Sequence, residues 1–149
     1  DSNDRQEVEA VVTDLVGRAG LLLRASCRVA RRVGIWLRYS DGAHVVRQAS
    51  CRSGSNSDFV LRRLALAALQ RAWSRRTRVR SCRLVCDRLQ RQSPQLLLFP
   101  DKAAKEQRQA EVLAAMDAVR SRFGYQSIRI GCRNRAGGSV KSVDFASVH

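Results

Sequence analysis

Within residues 3–27, Val8, Val12, Leu15, Ala19 and Leu22 recur at helical spacing, which predicts an amphipathic helix with one apolar face. Gly17 and Gly20 weaken its second half, because glycine gives up more conformational freedom in a helix than any other residue. The period then changes. Val33, Ile35, Leu37 and Tyr39 alternate with Arg32, Gly34, Trp36 and Arg38, the pattern of a half-buried strand. Ser40-Asp41-Gly42 reads as a turn, with Gly42 free to take a positive φ, and residues 44–52 return as the second strand of a hairpin. The polar segment 53–57 is a loop that supplies N-cap candidates. Residues 58–75 predict a second helix, with Leu61, Leu64, Ala65, Ala68, Leu69 and Ala72 on one face and Arg62, Arg63 and Arg71 on the other. A third strand spans residues 79–89, with Cys82, Leu84 and Cys86 facing one way and Ser81, Arg83 and Asp87 the other.

Helix, strand, strand, helix, strand is the order of an α+β layer: an antiparallel sheet with two helices on one face. It matches a β-α-β-β-α-β plan whose first strand is absent from the chain. That strand lies upstream of residue 1, or residues 140–148 replace it, since Val143 and Phe145 alternate there with polar neighbours. The opposite sheet face is then open and carries Arg32, Trp36, Arg38 and Arg83, a cationic platform suited to nucleic acid. Both prolines, Pro94 and Pro100, fall in a linker that follows the last strand. Asp101 caps a third helix reaching about residue 122, with Val112, Met116, Val119 and Phe123 on one face and Gly124 as its stop. Ile128 and Ile130 form a short extended piece, and residues 136–139 a flexible tail segment. Three parts follow: a sheet domain over residues 1–90, a linker over 91–100, and a helix with its tail over 101–149.

Charge sharpens the picture more than any other compositional feature. The chain of 149 residues has 28 Lys and Arg against 13 Asp and Glu, a formal charge of +15. Between Arg24 and Arg91 stand 17 Arg and no Lys against Asp41, Asp58 and Asp87, so this block alone carries 17 − 3 = +14. Like charges at this density repel unless a polyanion answers them, and release of counterions from that polyanion drives binding. A hydrophobic share of 44% fits a globular protein, and no apolar run approaches the ~18 residues of a membrane span. No secretory leader is evident, so the expected setting is cytoplasmic, with no membrane partner.

Chemistry is harder to find. The five cysteines (Cys27, Cys51, Cys82, Cys86, Cys132) contain no C-x-x-C pair, and His44 and His149 are the only imidazoles, so no metal site is expected. Acids are scattered, His44 has no nucleophile beside it in the pattern, and no Gly-rich phosphate loop occurs. No catalytic residue and no cofactor are assigned to this chain. The sharpest short motif is Gln95-Leu96-Leu97-Leu98-Phe99, held extended between two prolines. On physical grounds it reads equally as a docking peptide or as a staple on the protein's own core.

The pentapeptide resembles the bacterial sliding-clamp-binding motif, commonly Gln-Leu-x-Leu-Phe. The stretch behind it, from Pro100-Asp101 to Arg122-Phe123-Gly124 and Ile128-Arg129, is similar to the corresponding segment of DNA polymerase IV-like (DinB) proteins of the Y family. Gly34-Ile35-Trp36-Leu37-Arg38-Tyr39-Ser40-Asp41 resembles that family's first hairpin strand. Val46-Arg47-Gln48-Ala49-Ser50 resembles its Thr-Arg-Ser strand, and Val79-Arg80-Ser81-Cys82-Arg83-Leu84 its last one. The resemblance covers roughly residues 4–132 and implies a little finger domain, which grips double-stranded primer–template DNA. The palm carboxylates that bind magnesium would lie elsewhere in the parent polymerase, a DNA-directed translesion enzyme. The resemblance adds Arg47 and Arg80 as DNA contacts to Arg32, Trp36, Arg38 and Arg83, and makes Gln95, Leu96, Leu98 and Phe99 the clamp contacts. One other reading remains from the residues, an RNA-binding, ribosomal-type α+β module, and the resemblance itself also admits a catalytically inactive ImuB-like scaffold.

Overall fold

The structure is a computed structural model that describes residues 4–93 and 100–130. The chain divides into two compact units between Arg91 and Gln92. In the first, the order is α1 (Arg5–Ala25), β1 (Arg28–Tyr39), β2 (His44–Ser55), α2 (Asp58–Ala72) and β3 (Val79–Arg91). The three strands form one antiparallel sheet in the order β2-β1-β3. Both helices pack on the same side of it, α2 over β1 and β2, α1 over β1 and β3. The α+β layer expected from the order of elements is therefore the observed one.

The hairpin's first strand is central and pairs with β3 along nearly its whole length, from Arg28 opposite Arg91 to Tyr39 opposite Val79. No slot for a further strand remains between β1 and β3. A fourth strand could join this sheet only at an edge, and residues 140–148 lie outside the described residues.

α1 starts at Asp4, whose carboxylate accepts from the Gln6 backbone N–H at 2.9 Å, an N-cap that satisfies one of the helix's orphan donors. Its buried line runs Val8, Val12, Leu15, Val16, Ala19 and Leu23. The face turns onto Leu23 in the last turn, leaving Leu22, expected inside, 48% exposed. Gly17 and Gly20 do not interrupt the helix. Gly20 is needed for contact: a Cβ there would lie 1.9 Å from Asp58 Oδ1. At this crossing of α1 and α2, Arg24 Nη1 donates to Asp58 Oδ1 and to the Asn56 carbonyl, each at 2.7 Å.

Val33, Ile35, Leu37 and Tyr39 are fully buried beneath the helices, and the Tyr39 hydroxyl donates to the Ala72 carbonyl at 2.9 Å, tying the hairpin to the end of α2. The turn closes with Gly42 at φ 87 and Asp41 Oδ1 accepting from the Ala43 N–H. α2 ends at Ala72, the last residue of its apolar face and short of the expected end at residue 75, and Ser57 at its N-cap makes no side-chain capping bond. Both outer strands run past their expected ends. β2 continues to Ser55 through a bulge, where residues 51–54 stand against the single residue Arg31. Gly54, at φ 70, allows this: a Cβ would fall 3.0 Å from Val29 Cγ2.

In the second unit Pro100, with its φ already set for a helix, is the first residue of α3 (Pro100–Phe123). Asp101 stands in the first turn rather than at the cap. Gly124 at φ 94 ends the helix as expected. The buried face differs from the predicted one: it is Leu113, Met116 and Arg120, whereas Val112 and Phe123 are 49% and 68% exposed and Val119 is half-buried. The Arg120 guanidinium lies over the Tyr125 ring at 4.8 Å in the 3-10 turn Tyr125–Ser127, which stands before the extended Ile128.

Candidate nucleic-acid interface

Cross-strand register assembles the open face of the sheet into four rows. Residues directly opposite in an antiparallel pair share a face and sit roughly 5 Å apart. The rows are His44–Arg38–Ser81, Val46–Trp36–Arg83, Gln48–Gly34–Val85 and Ser50–Arg32–Asp87, each read from β2 through β1 to β3. The intervening rows point to the core: Val45–Leu37–Cys82, Arg47–Ile35–Leu84 and Ala49–Val33–Cys86. Strict alternation on β1 and β3 thus brings Arg32, Trp36, Arg38 and Arg83 onto one surface.

The two contacts nominated by resemblance lie elsewhere. Arg47 shares a row with Ile35, on the helix side of edge strand β2, where it is exposed and its Nη1 donates to the Val46 carbonyl at 2.8 Å. Arg80 is exposed and precedes Ser81 at the register irregularity near Tyr39. Gln95, Leu96, Leu98 and Phe99 lie outside the described residues. The reading of alternation missed His44, Val46, Gln48 and Ser50. They are placed there by pairing: the Tyr39 N–H bond to the Ala43 carbonyl sets which residue of β2 faces each residue of β1.

Arg32 is held by its cross-strand partner, with Nε 2.7 Å from Asp87 Oδ1 and Nη2 also bonded to Oδ2, a bidentate fork. The hydrogen bond to Asp87 raises the Arg32 pKa further above its already high value. Trp36 is 44% exposed in the middle of the face. It lines a concave patch of about 440 Å³ with Arg38, Gly42, His44, Ser81 and Arg83. Gly34 is buried flush with the sheet, and a Cβ there would meet Gln48 Cγ at an ordinary 3.5 Å. The sheet's own packing therefore does not require glycine at this point. Its missing side chain leaves a low spot between Arg32 and Trp36.

Cys82 and Cys86 face the core, and burial pushes each thiol up to about 12, which keeps them protonated and inert. Among the described residues no group of three His, Cys, Asp or Glu could hold a metal ion, and no helix is long and apolar enough to cross a membrane. The arrangement suits a long polyanion: three guanidiniums, one of them paired with Asp87, and one indole on a helix-backed sheet.

A search of curated proteins found no match. A family model, the impB/mucB/samB family C-terminal domain, matches residues 1–98, about two thirds of the chain and all of the sheet unit described above. The chain therefore belongs to the impB/mucB/samB family and carries its C-terminal domain, the little finger-type domain of Y-family polymerases.

Proposed function

We propose that the open sheet face grips the backbones of primer–template duplex DNA for a translesion polymerase of the DNA polymerase IV type, and that Gln95, Leu96, Leu98 and Phe99 tether that polymerase to the sliding clamp. The observation that carries the first half is the four-row face. It concentrates Arg32, Arg38 and Arg83 around Trp36 within a block of net charge +14. Arginine contacts to phosphate give affinity without sequence preference. Arg47 and Arg80, off this face, would reach phosphates flanking the sheet.

Support for the tether is the motif itself and its place at the end of the family-matched span, after the last strand and between Pro94 and Pro100. A clamp peptide raises the effective concentration of the polymerase at the primer end, so modest intrinsic affinity suffices.

Salt titration tests the grip. Arg38→Ala and Arg83→Ala should each weaken duplex binding for all sequences and reduce the slope of log K against log salt by about 0.9. Unchanged slopes would refute the face as the contact surface. Tighter binding to structured RNA than to primer–template DNA at matched salt would replace this reading with the RNA-binding one. For the tether, joint replacement of Gln95, Leu98 and Phe99 by Ala should abolish clamp pulldown and leave duplex affinity intact. Retained pulldown would refute it.

A further inference from the structure

We propose that Trp36 is a stacking platform for one unpaired DNA base, with Arg38 and Arg83 beside it to hold that nucleotide's phosphates. The inference rests on the open face being the DNA surface, and it names a second kind of ligand for that face: a nucleotide out of the duplex stack.

Four large hydrophobic side chains are exposed among the described residues, and Trp36 is the only one of them on the sheet. Its neighbours cover it only in part, leaving 44% of it exposed. Along β1 it is followed by Arg38 and preceded on the same face by Gly34, which has no side chain to lay against the indole. Across the sheet it meets Val46 on one side and Arg83 on the other. The patch it lines, about 440 Å³, is a shallow, open depression on the sheet surface.

Duplex DNA makes poor use of such a residue. In an intact helix each base covers its faces with its neighbours and presents only edges and backbone to a protein. An indole face is matched by another π-face, and a base offers one only when it is unstacked, in an overhang, a gap or a flipped position. The flanking charges fit the same ligand. Arg83 stands directly across from Trp36 and Arg38 is the next residue along β1 on the same face, so both guanidinium-bearing side chains are within reach of the phosphates of a nucleotide stacked on the indole. His44 and Ser81, in the Arg38 row, add a ring and a hydroxyl at the rim for base or sugar edges.

The test uses the whole chain with Trp73→Phe, so that indole emission reports Trp36 alone. Two probes are compared at matched salt: a blunt duplex, and the same duplex with a short template overhang carrying 2-aminopurine at its first unpaired position. The expected result is quenching of Trp36 and of 2-aminopurine by the overhang probe only. Trp36→Ala should weaken overhang binding about 10-fold, as for the loss of one base–aromatic stack, and alter blunt-duplex binding less than about 2-fold. Trp36→Phe, which keeps a ring, should retain most of the affinity and guards against misfolding of the Ala variant. Equal losses on both probes, or no quenching by the overhang, would overturn the proposal while leaving the duplex grip standing. Failure of the parent protein to bind either probe would overturn both.

Discussion

Gly20→Ala offers a sharp test of the packing argument, because local and tertiary effects carry opposite signs there. Alanine in a helix interior is ordinarily favoured over glycine by about 0.8–1.0 kcal/mol. At this position the new Cβ would stand 1.9 Å from Asp58 Oδ1 and 2.9 Å from Arg24 Nη1. The carboxylate is 1% exposed and the Arg24 side chain 16%, so neither charge can simply turn to water. Asp58 must move well over an ångström, which breaks the 2.7 Å bond from Arg24. Separating a buried pair costs about 3–5 kcal/mol, and the helix gain leaves a net loss of about 2–4 kcal/mol. For a unit of this size that lowers the melting temperature by roughly 10–25 °C. Thermal and urea unfolding followed by far-ultraviolet circular dichroism measure it. An unchanged or raised midpoint would refute the reasoning. A double-mutant cycle locates the cause: with Asp58→Ala already in place, the Gly20→Ala penalty should largely vanish, because the flexible end of Arg24 can yield.

Other expectations follow from the same geometry. Cys27 takes a left-handed φ of 52 just past the end of α1, so Cys27→Gly should raise stability by about 0.5–1 kcal/mol, read from the urea midpoint. Disulfide-exchange labelling at pH 8, located by mass spectrometry, should modify exposed Cys27 quickly and the half-buried Cys82 and Cys86 far more slowly, since burial holds both thiols near 12. The same shift has a stability consequence. The folded chain keeps thiol protons that the unfolded chain releases above about 9, so this contribution is intact below pH 9 and is lost as pH rises toward 12. Finally, Asp87→Ala should release Arg32 and remove a negative charge from the open face, tightening duplex binding and steepening its salt slope by about 0.9. Weaker binding would show that the fork positions Arg32 for DNA rather than withholding it.

Much of the sheet unit was legible because its signals are one-dimensional. Alternation along β1 survives folding, since Val33 to Tyr39 face two helices and Arg32 to Arg38 face none. The same parity sorted Cys82 and Leu84 from Arg83, which is why four of the nominated contacts meet on one surface. Legibility ended where burial depends on a partner. α3 has alanines at 103, 104, 110, 114, 115 and 118, so small apolar positions occur all around it and no face stands out. Tertiary contacts chose Leu113 over Val112. β2 is polar on both sides of the strand, with Arg47 and Gln48 adjacent, so only pairing with β1 reveals that Gln48 is on the open face and Arg47 is not. Its bulge depends on one glycine's left-handed φ meeting Val29 and Arg31, a contact that no local pattern encodes.

The three acids of the basic block show how the surplus charge is tolerated. Each forms an ion pair at a junction: Asp58 with Arg24 where α1 meets α2, Asp87 with Arg32 between β3 and β1, and Asp41 with Arg75 between the hairpin turn and the segment after α2. They fix the positions of elements, and three carboxylates cannot neutralise seventeen guanidiniums wherever they sit. The pair at Asp41 is the most exposed of the three, with side chains 45% and 40% accessible, so it contributes at most about 1 kcal/mol. The one at Asp58 is buried and holds the two helices in contact. The block is therefore built to hold its shape while leaving most of its charge for an external polyanion. Raising the salt concentration should accordingly stabilise the free protein by screening Arg–Arg repulsion while weakening its hold on DNA. A fall in melting temperature with salt, in the absence of DNA, would contradict that division between acids that position and arginines that bind.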